Sequence, residues 1–187
     1  MQLLNLIPKN LLRPEGRLKR VTKELLQAIR ACSEQRLFGP ALILLYAGID
    51  MMASLSRRPD AKHVERKDFL KWVEDYLLPN ANLSCAPIDL WAARCGLIHS
   101  LSYDSSWTDR DEARRIRYVF DDSDAVKRGM RRLEEQDTSL VVVSFGGLLQ
   151  AFETAVEGFL RDIESMPLAL ERINRELAFF PLQFGLR

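Results

Sequence analysis

Asp89-Leu90-Trp91-Ala92-Ala93-Arg94-Cys95-Gly96-Leu97-Ile98-His99 sets an arginine and a histidine inside an otherwise apolar helical stretch, Ile88 to Leu101. An unpaired charge taken out of water is costly, so these two side chains need either a structural partner or a task. Together they also suit phosphodiester chemistry. An imidazole moves a proton near neutral pH, and a guanidinium holds an anionic phosphate.

The segments around this helix read as helices too. Pro87 opens it, at a position where a helix tolerates proline. Upstream, Phe69, Trp72, Val73, Tyr76 and Leu77 give the i, i+3, i+4, i+7, i+8 set of an amphipathic helix, ended by Pro79 and the run Asn80 to Asn82. Pro40 to Leu55 is apolar nearly all round, as a core helix is. Before it, Leu18, Val21, Leu25, Ile29 and Cys32 recur at helical spacing, with Gly39-Pro40 expected to separate the two helices. Ser56 to Lys62, with Pro59, and Ser102 to Asp109 read as polar connections.

Downstream the pattern changes. Residues 114–120 and 140–145 are rich in β-branched and aromatic residues, and are expected to pair as a small antiparallel ribbon. A charged helix, Ala125 to Glu135, lies between them. Gly146-Gly147 is expected to bend the chain before a long helix with the stripe Leu148, Leu149, Phe152, Val156, Phe159, Leu160 and Ile163. Pro167 stops or kinks that helix, and a short helix ends near Phe180. The expected fold is mainly α: one domain over residues 1–187, a helical bundle of about five core helices with a small β-ribbon insertion.

Composition narrows the function classes. With 187 residues, 47% hydrophobic and 28% charged, the chain is neither disordered nor of low complexity. A net charge of +1 excludes a uniformly basic nucleic-acid coat and leaves room for a local basic patch. Cys32, Cys85 and Cys95 form neither a disulfide framework nor a zinc spacing, which fits a reducing cytoplasm. Met1 to Ile7 lacks the basic start and cleavage site of a secretion signal. The apolar run Ala41 to Leu55 is interrupted by Asp50 and is too short for a bilayer, so no membrane role is expected. No phosphate-cradling glycine loop and no paired-histidine spacing is present, so the chain is expected to need no cofactor and no metal.

Geometry limits what one copy of the Arg94–His99 helix can do. Five residues along an ideal helix rotate by about 140°, so the two side chains diverge unless the helix bends, and Gly96 weakens it between them. A two-fold dimer would bring two arginines and two histidines to one groove. A structural reading stays open beside this one: Arg94 paired with Asp50, and His99 capping the helix end near Ser100 and Ser102.

The segment Asp89 to His99, in a helical chain of this size, resembles the HEPN superfamily (higher eukaryotes and prokaryotes nucleotide-binding domain). The mark of that superfamily is an arginine, four to six residues, then a histidine on a late core helix. Leu44-Leu45-Tyr46-Ala47-Gly48-Ile49-Asp50 looks like the core helix of its bacterial members. The resemblance covers roughly residues 17–103 and the long helix after 145. It implies a bundle that dimerises with the motif facing the dimer cleft. In active members it implies metal-independent RNA cleavage that leaves a cyclic phosphate, as in toxin–antitoxin or phage-defence systems. Carried over, His99 is the general base or acid, and Arg94 stabilises phosphoryl charge. RNA and an antitoxin or other protein are then the implied partners, besides a second copy. Active members often place Asn, Asp or His directly after the arginine; here Cys95 stands there, a weak hydrogen-bond partner. Other members are binding or assembly modules, so a non-catalytic helical dimer is the alternative.

Further residues draw attention on chemical grounds. Asp50 interrupts an apolar helix and needs a partner, with Arg94 or His99 as candidates. Tyr103, four residues after His99, is a candidate phosphate contact or a core residue. Cys95 beside a cationic arginine is a candidate nucleophile. Arg110, Arg114, Arg115, Arg117, Lys127, Arg128, Arg131 and Arg132 suit an RNA backbone, although the acids interleaved with them suit a solvated surface equally. The segment Ala178 to Leu186 suits a docking tail or burial on the bundle. His63, in a polar loop, has no special role.

Overall fold

Schellman geometry, rather than the Gly39-Pro40 pair, separates the first two helices. In the computed structural model α1 spans Pro14–Glu34 and α2 spans Phe38–Ser56. The Leu37 amide donates to the Cys32 carbonyl at 2.8 Å and the Arg36 amide to that of Ser33 at 2.9 Å. Arg36 takes the left-handed position, φ 59°, that glycine usually fills. Gly39 and Pro40 instead lie in the first turn of α2, where the missing proline N–H would have had no helical partner anyway.

The structure describes residues 14–177 except 59, 80, 101, 103 and 122, and excludes the side chains of 14, 15, 99, 100, 174, 176 and 177. The proposed tail Ala178 to Leu186 and the expected end of the last helix near Phe180 therefore lie outside the described residues.

α2 is the centre of the bundle. Leu45, Tyr46, Ile49 and Met52 are fully buried, and α1, α3 (Arg66–Trp72), α4 (Pro87–Ser100) and α6 (Phe145–Glu164) all pack on it. The helix is longer than its uninterrupted apolar run: at 19 residues it meets the length and composition of a membrane span. Half of its most apolar window is buried inside the fold, so that composition is used for packing. Gly48 permits a close crossing of α1, α2 and α6. A Cβ there would meet the Phe152 ring at 2.6 Å and Leu25 at 2.9 Å.

α3 (Arg66–Trp72) starts with a reciprocal Glu65/Asp68 capping box and continues into a π-helical turn, Val73–Leu77. Its expected stripe is present: Phe69, Trp72, Val73 and Leu77 are buried and Tyr76 is half-buried. α4 spans Pro87–Ser100. α6 (Phe145–Glu164) buries Leu148, Phe152, Val156, Phe159 and Ile163, and Trp72 meets its Phe152 and Phe159 edge-on at 6.1 and 6.5 Å. α7 spans Pro167–Leu177.

The β insertion differs from the expected antiparallel ribbon. β1 (Arg115–Val119) and β2 (Leu140–Ser144) pair in parallel, Arg115 opposite Leu140 and Val119 opposite Ser144. Between them runs α5 (Asp124–Gln136), which carries the chain back to the start of the sheet. A tight turn is needed for antiparallel neighbours, whereas a helical crossover delivers parallel ones. β2 then passes straight into α6. Ser144 caps that helix by accepting from the Gly147 amide at 3.0 Å, so Gly146-Gly147 forms its first turn rather than a bend before it.

Candidate functional site

Asp50 on α2 and Arg94 on α4 meet where these two core helices touch. Arg94 donates through Nε and Nη2 to the same Asp50 oxygen, Oδ2, at 2.7 Å each. The guanidinium also lies 5.3 Å from the ring of Trp91, one turn earlier, which itself packs edge-on against Phe69 at 5.2 Å. Burial works against the Arg94 charge, but the hydrogen bond and charge of Asp50 outweigh it, and the arginine is held above its ordinary pKa. The pair is not sealed: the side chains keep 21% and 28% of their exposure. Of the two candidate partners for Asp50, Arg94 bonds it, while the His99 side chain lies outside the described residues.

Cys95 shares this site and hydrogen-bonds Arg94, yet burial pushes its thiol above the usual range against the pull of that cation. That raised thiol works against a nucleophilic role for Cys95.

His99 belongs to α4 by its backbone, and its side chain lies outside the described residues, as does Tyr103. The helix runs unbroken from Pro87 to Ser100, so Gly96 does not end it. Gly96 serves close approach instead. The chain after α4 folds back across it, and a Cβ there would sit 2.6 Å from the carbonyl oxygens of Ser102 and Asp104. Arg115 pins that return by donating to Asp104 at 2.6 Å. On an unbroken helix the positions of Arg94 and His99 stay about 140° apart.

A second charged centre escaped the sequence reading. Asp89, 2% exposed, accepts from the Ala86 amide at 2.8 Å, the Arg114 amide at 2.8 Å, and Arg114 Nε and Nη2 at 3.1 and 2.7 Å. It ties the start of α4 to the start of β1. The legible signal was an acid three residues after Ala86, at the third position of a proline-opened helix, where its side chain reaches back to the N-cap amide. A mixed polar and aromatic pair does similar work: the hydroxyls of Tyr46 on α2 and Tyr118 on β1 hydrogen-bond to each other.

The basic residues now divide. Arg114 and Arg115 are held by Asp89 and Asp104. Arg110 lies over Trp107 at 4.9 Å and pairs with Glu112 at 3.2 Å, while Arg66 covers the same ring at 4.5 Å. Arg117 is within electrostatic reach of Asp137. Lys127, Arg128, Arg131 and Arg132 are exposed on α5. His63 is exposed in its loop. A cleft of about 700 Å³ lies between Trp72, Tyr76, Phe159 and Leu168, and none of Asp50, Arg94 or Cys95 lines it.

No protein-family model, curated protein or solved structure matches this chain.

Proposed function

We propose that the chain is a HEPN-like, metal-independent endoribonuclease whose site is shared by two copies of α4. The observation that carries this reading is the Arg94–Asp50 pair, held in fixed orientation yet still reached by solvent. Part of the Arg94 side chain stays at the surface of the helix that carries His99, where a substrate anion can reach it.

In this reading a substrate phosphate sits against Arg94, which stabilises the charge that builds on the phosphoryl oxygens. His99 takes the proton from the ribose 2′-hydroxyl, and the 2′-oxygen displaces the 5′-oxygen to leave a 2′,3′-cyclic phosphate. The second protomer's copy of the pair supplies the acid that protonates the leaving oxygen. Asp50 is a positioning residue that holds Arg94. The setting proposed is a cytoplasmic bacterial toxin or defence protein, with an antitoxin or other protein as its regulator.

A second reading is a non-catalytic dimer that binds a protein or nucleotide partner through the same face. Cys95 favours it: a half-buried thiol beside Arg94 is a weak hydrogen-bond partner and orients a phosphate poorly.

Incubating the protein with single-stranded RNA in EDTA separates the two. Cleavage that yields cyclic phosphate ends and vanishes in His99→Ala and Arg94→Ala supports the nuclease. Equal cleavage by wild type and His99→Ala, or none by wild type, removes it. A monomer by sedimentation at micromolar concentration removes both dimer readings.

A further inference from the structure

The solvent face of α5 carries Lys127, Arg128, Arg131 and Arg132, all exposed and none with a hydrogen bond or ion pair among the described residues. From Ala125 to Leu133 the chain holds these four cations and no acid. Lys127 with Arg131, and Arg128 with Arg132, are four residues apart. They therefore stand in two adjacent rows with about 6 Å of rise between successive members.

The rotation of the helix is fixed from the other side. Val126, Met130 and Glu134 are half-buried, again at spacings of four. Glu134 Oε1 accepts from the Val142 amide of β2 at 2.8 Å and from Ser84 Oγ at 3.2 Å. The cationic face is thus turned outward by the packing of the opposite face. Besides Glu134, the acids of α5 are Asp124 and Glu135, which stand at the two ends of the helix. Like charges four apart cost helix stability, and cations near the N-terminus oppose the helix dipole. Asp124 and Glu135, one turn from Arg128 and Arg131, offset part of that cost at the helix ends, and the four exposed cations between them form a surface that suits an external polyanion.

We infer that α5 is a docking helix for the phosphodiester backbone of a nucleic acid. Three of the four cations are arginines, whose planar fork matches phosphate oxygens. A helix that lies on a membrane needs an apolar face open to the lipid; Val126 and Met130 are half-buried instead, on the side of α5 whose Glu134 bonds β2. The choice of RNA over DNA as the natural ligand rests on the nuclease reading above. Docking itself does not, because α5 contributes no residue to the Arg94–Asp50 site.

The experiment uses the full chain carrying His99→Ala, so that binding is read without cleavage, with a fluorescent single-stranded RNA followed by anisotropy across a salt series. Arg128→Glu, Arg131→Glu and Arg132→Glu together are expected to weaken binding by about tenfold or more at low salt, and to reduce the slope of log affinity against log salt by about two. The control reverses Lys62, Arg161 and Arg175, exposed cations elsewhere, with the same change in net charge. Circular dichroism verifies that both triple variants stay helical. Unchanged affinity in the α5 variant, equal loss in the control, or α5-dependent binding to anionic vesicles without binding to RNA would each overturn the inference. RNA binding through α5 by a wild-type protein that does not cleave supports it while removing the nuclease.

Discussion

Arg94 crosses from α4 to α2 and places two of its nitrogens 2.7 Å from a single oxygen of Asp50. One carboxylate thereby sets both the position and the plane of the guanidinium. The pair joins two core helices and keeps part of its surface open to solvent.

Asp50→Ala leaves that guanidinium partly buried without its carboxylate. It is expected to destabilise the fold by about 1–3 kcal/mol in urea denaturation, the cost of stranding a charged donor. Arg94→Met, which removes the charge while keeping an apolar stem, is expected to cost less. Equal stability of Asp50→Ala and wild type would show that the pair contributes nothing to the α2–α4 contact.

Asp89→Ala is the more damaging acid substitution. The carboxylate is 2% exposed and satisfies two backbone amides as well as Arg114. Its loss is expected to cost about 3–5 kcal/mol, measured as a large drop in the urea midpoint, with Arg114→Ala intermediate because it leaves the acid two amide donors.

Two backbone positions predict opposite signs. Gly96→Ala pushes a methyl onto the carbonyls of Ser102 and Asp104, and is expected to destabilise by about 1–3 kcal/mol, although alanine is the better helix former. Arg36→Gly relieves a left-handed φ of 59°, and is expected to stabilise by about 0.5–1 kcal/mol. Thermal melts of both variants verify the pair of signs.

Alkaline pH should weaken the fold ahead of any acid effect on these groups. Burial pushes the Cys85 thiol up to about 12 and raises the Tyr46 and Tyr118 hydroxyls as well. Each group is neutral while protonated. The unfolded chain releases these protons near about 8.5 for cysteine and 10 for tyrosine, and the folded chain keeps them. Their contribution is therefore complete below about pH 8.5 and falls as pH rises toward the folded values, by up to about 1.4 kcal/mol per pH unit per group. Urea midpoints taken from about pH 8 to 11 should decline, and Cys85→Ala should make the decline shallower.

Most helices were legible because each carries a periodic apolar stripe that only one geometry can bury. The stripe of α6 from Leu148 to Ile163 and that of Phe69 to Leu77 are buried as their spacing implies. The errors lie where local signals compete with neighbours. Gly39-Pro40 looked like a break, but proline is harmless in a helix's first turn, and the Arg36 amide and φ end α1 earlier. Gly96 looked like a weak point, but the returning chain needs its missing side chain. The strands were placed correctly and paired wrongly, since pairing direction belongs to the crossover and not to the strands.

Part of the candidate site was legible too. An acid inside an apolar core helix had to find a cation, and Arg94 was one of two named for Asp50. Asp89 was missed because a capping acid at a helix start has an ordinary local reading, and its second partner, Arg114, is 25 residues away.

The sequence by itself determined the mainly helical class, the buried faces and the small β insertion, because periodicity and burial are local properties of the chain. Tertiary structure alone decided the rest: parallel pairing of β1 with β2, the division of the arginines into those held by Asp50, Asp89 and Asp104 and those left outward on α5, and the burial that raises the Cys95 thiol. Each of these depends on which distant groups arrive at a site and how much water they exclude, and charge energies follow distance and solvent access rather than position along the chain.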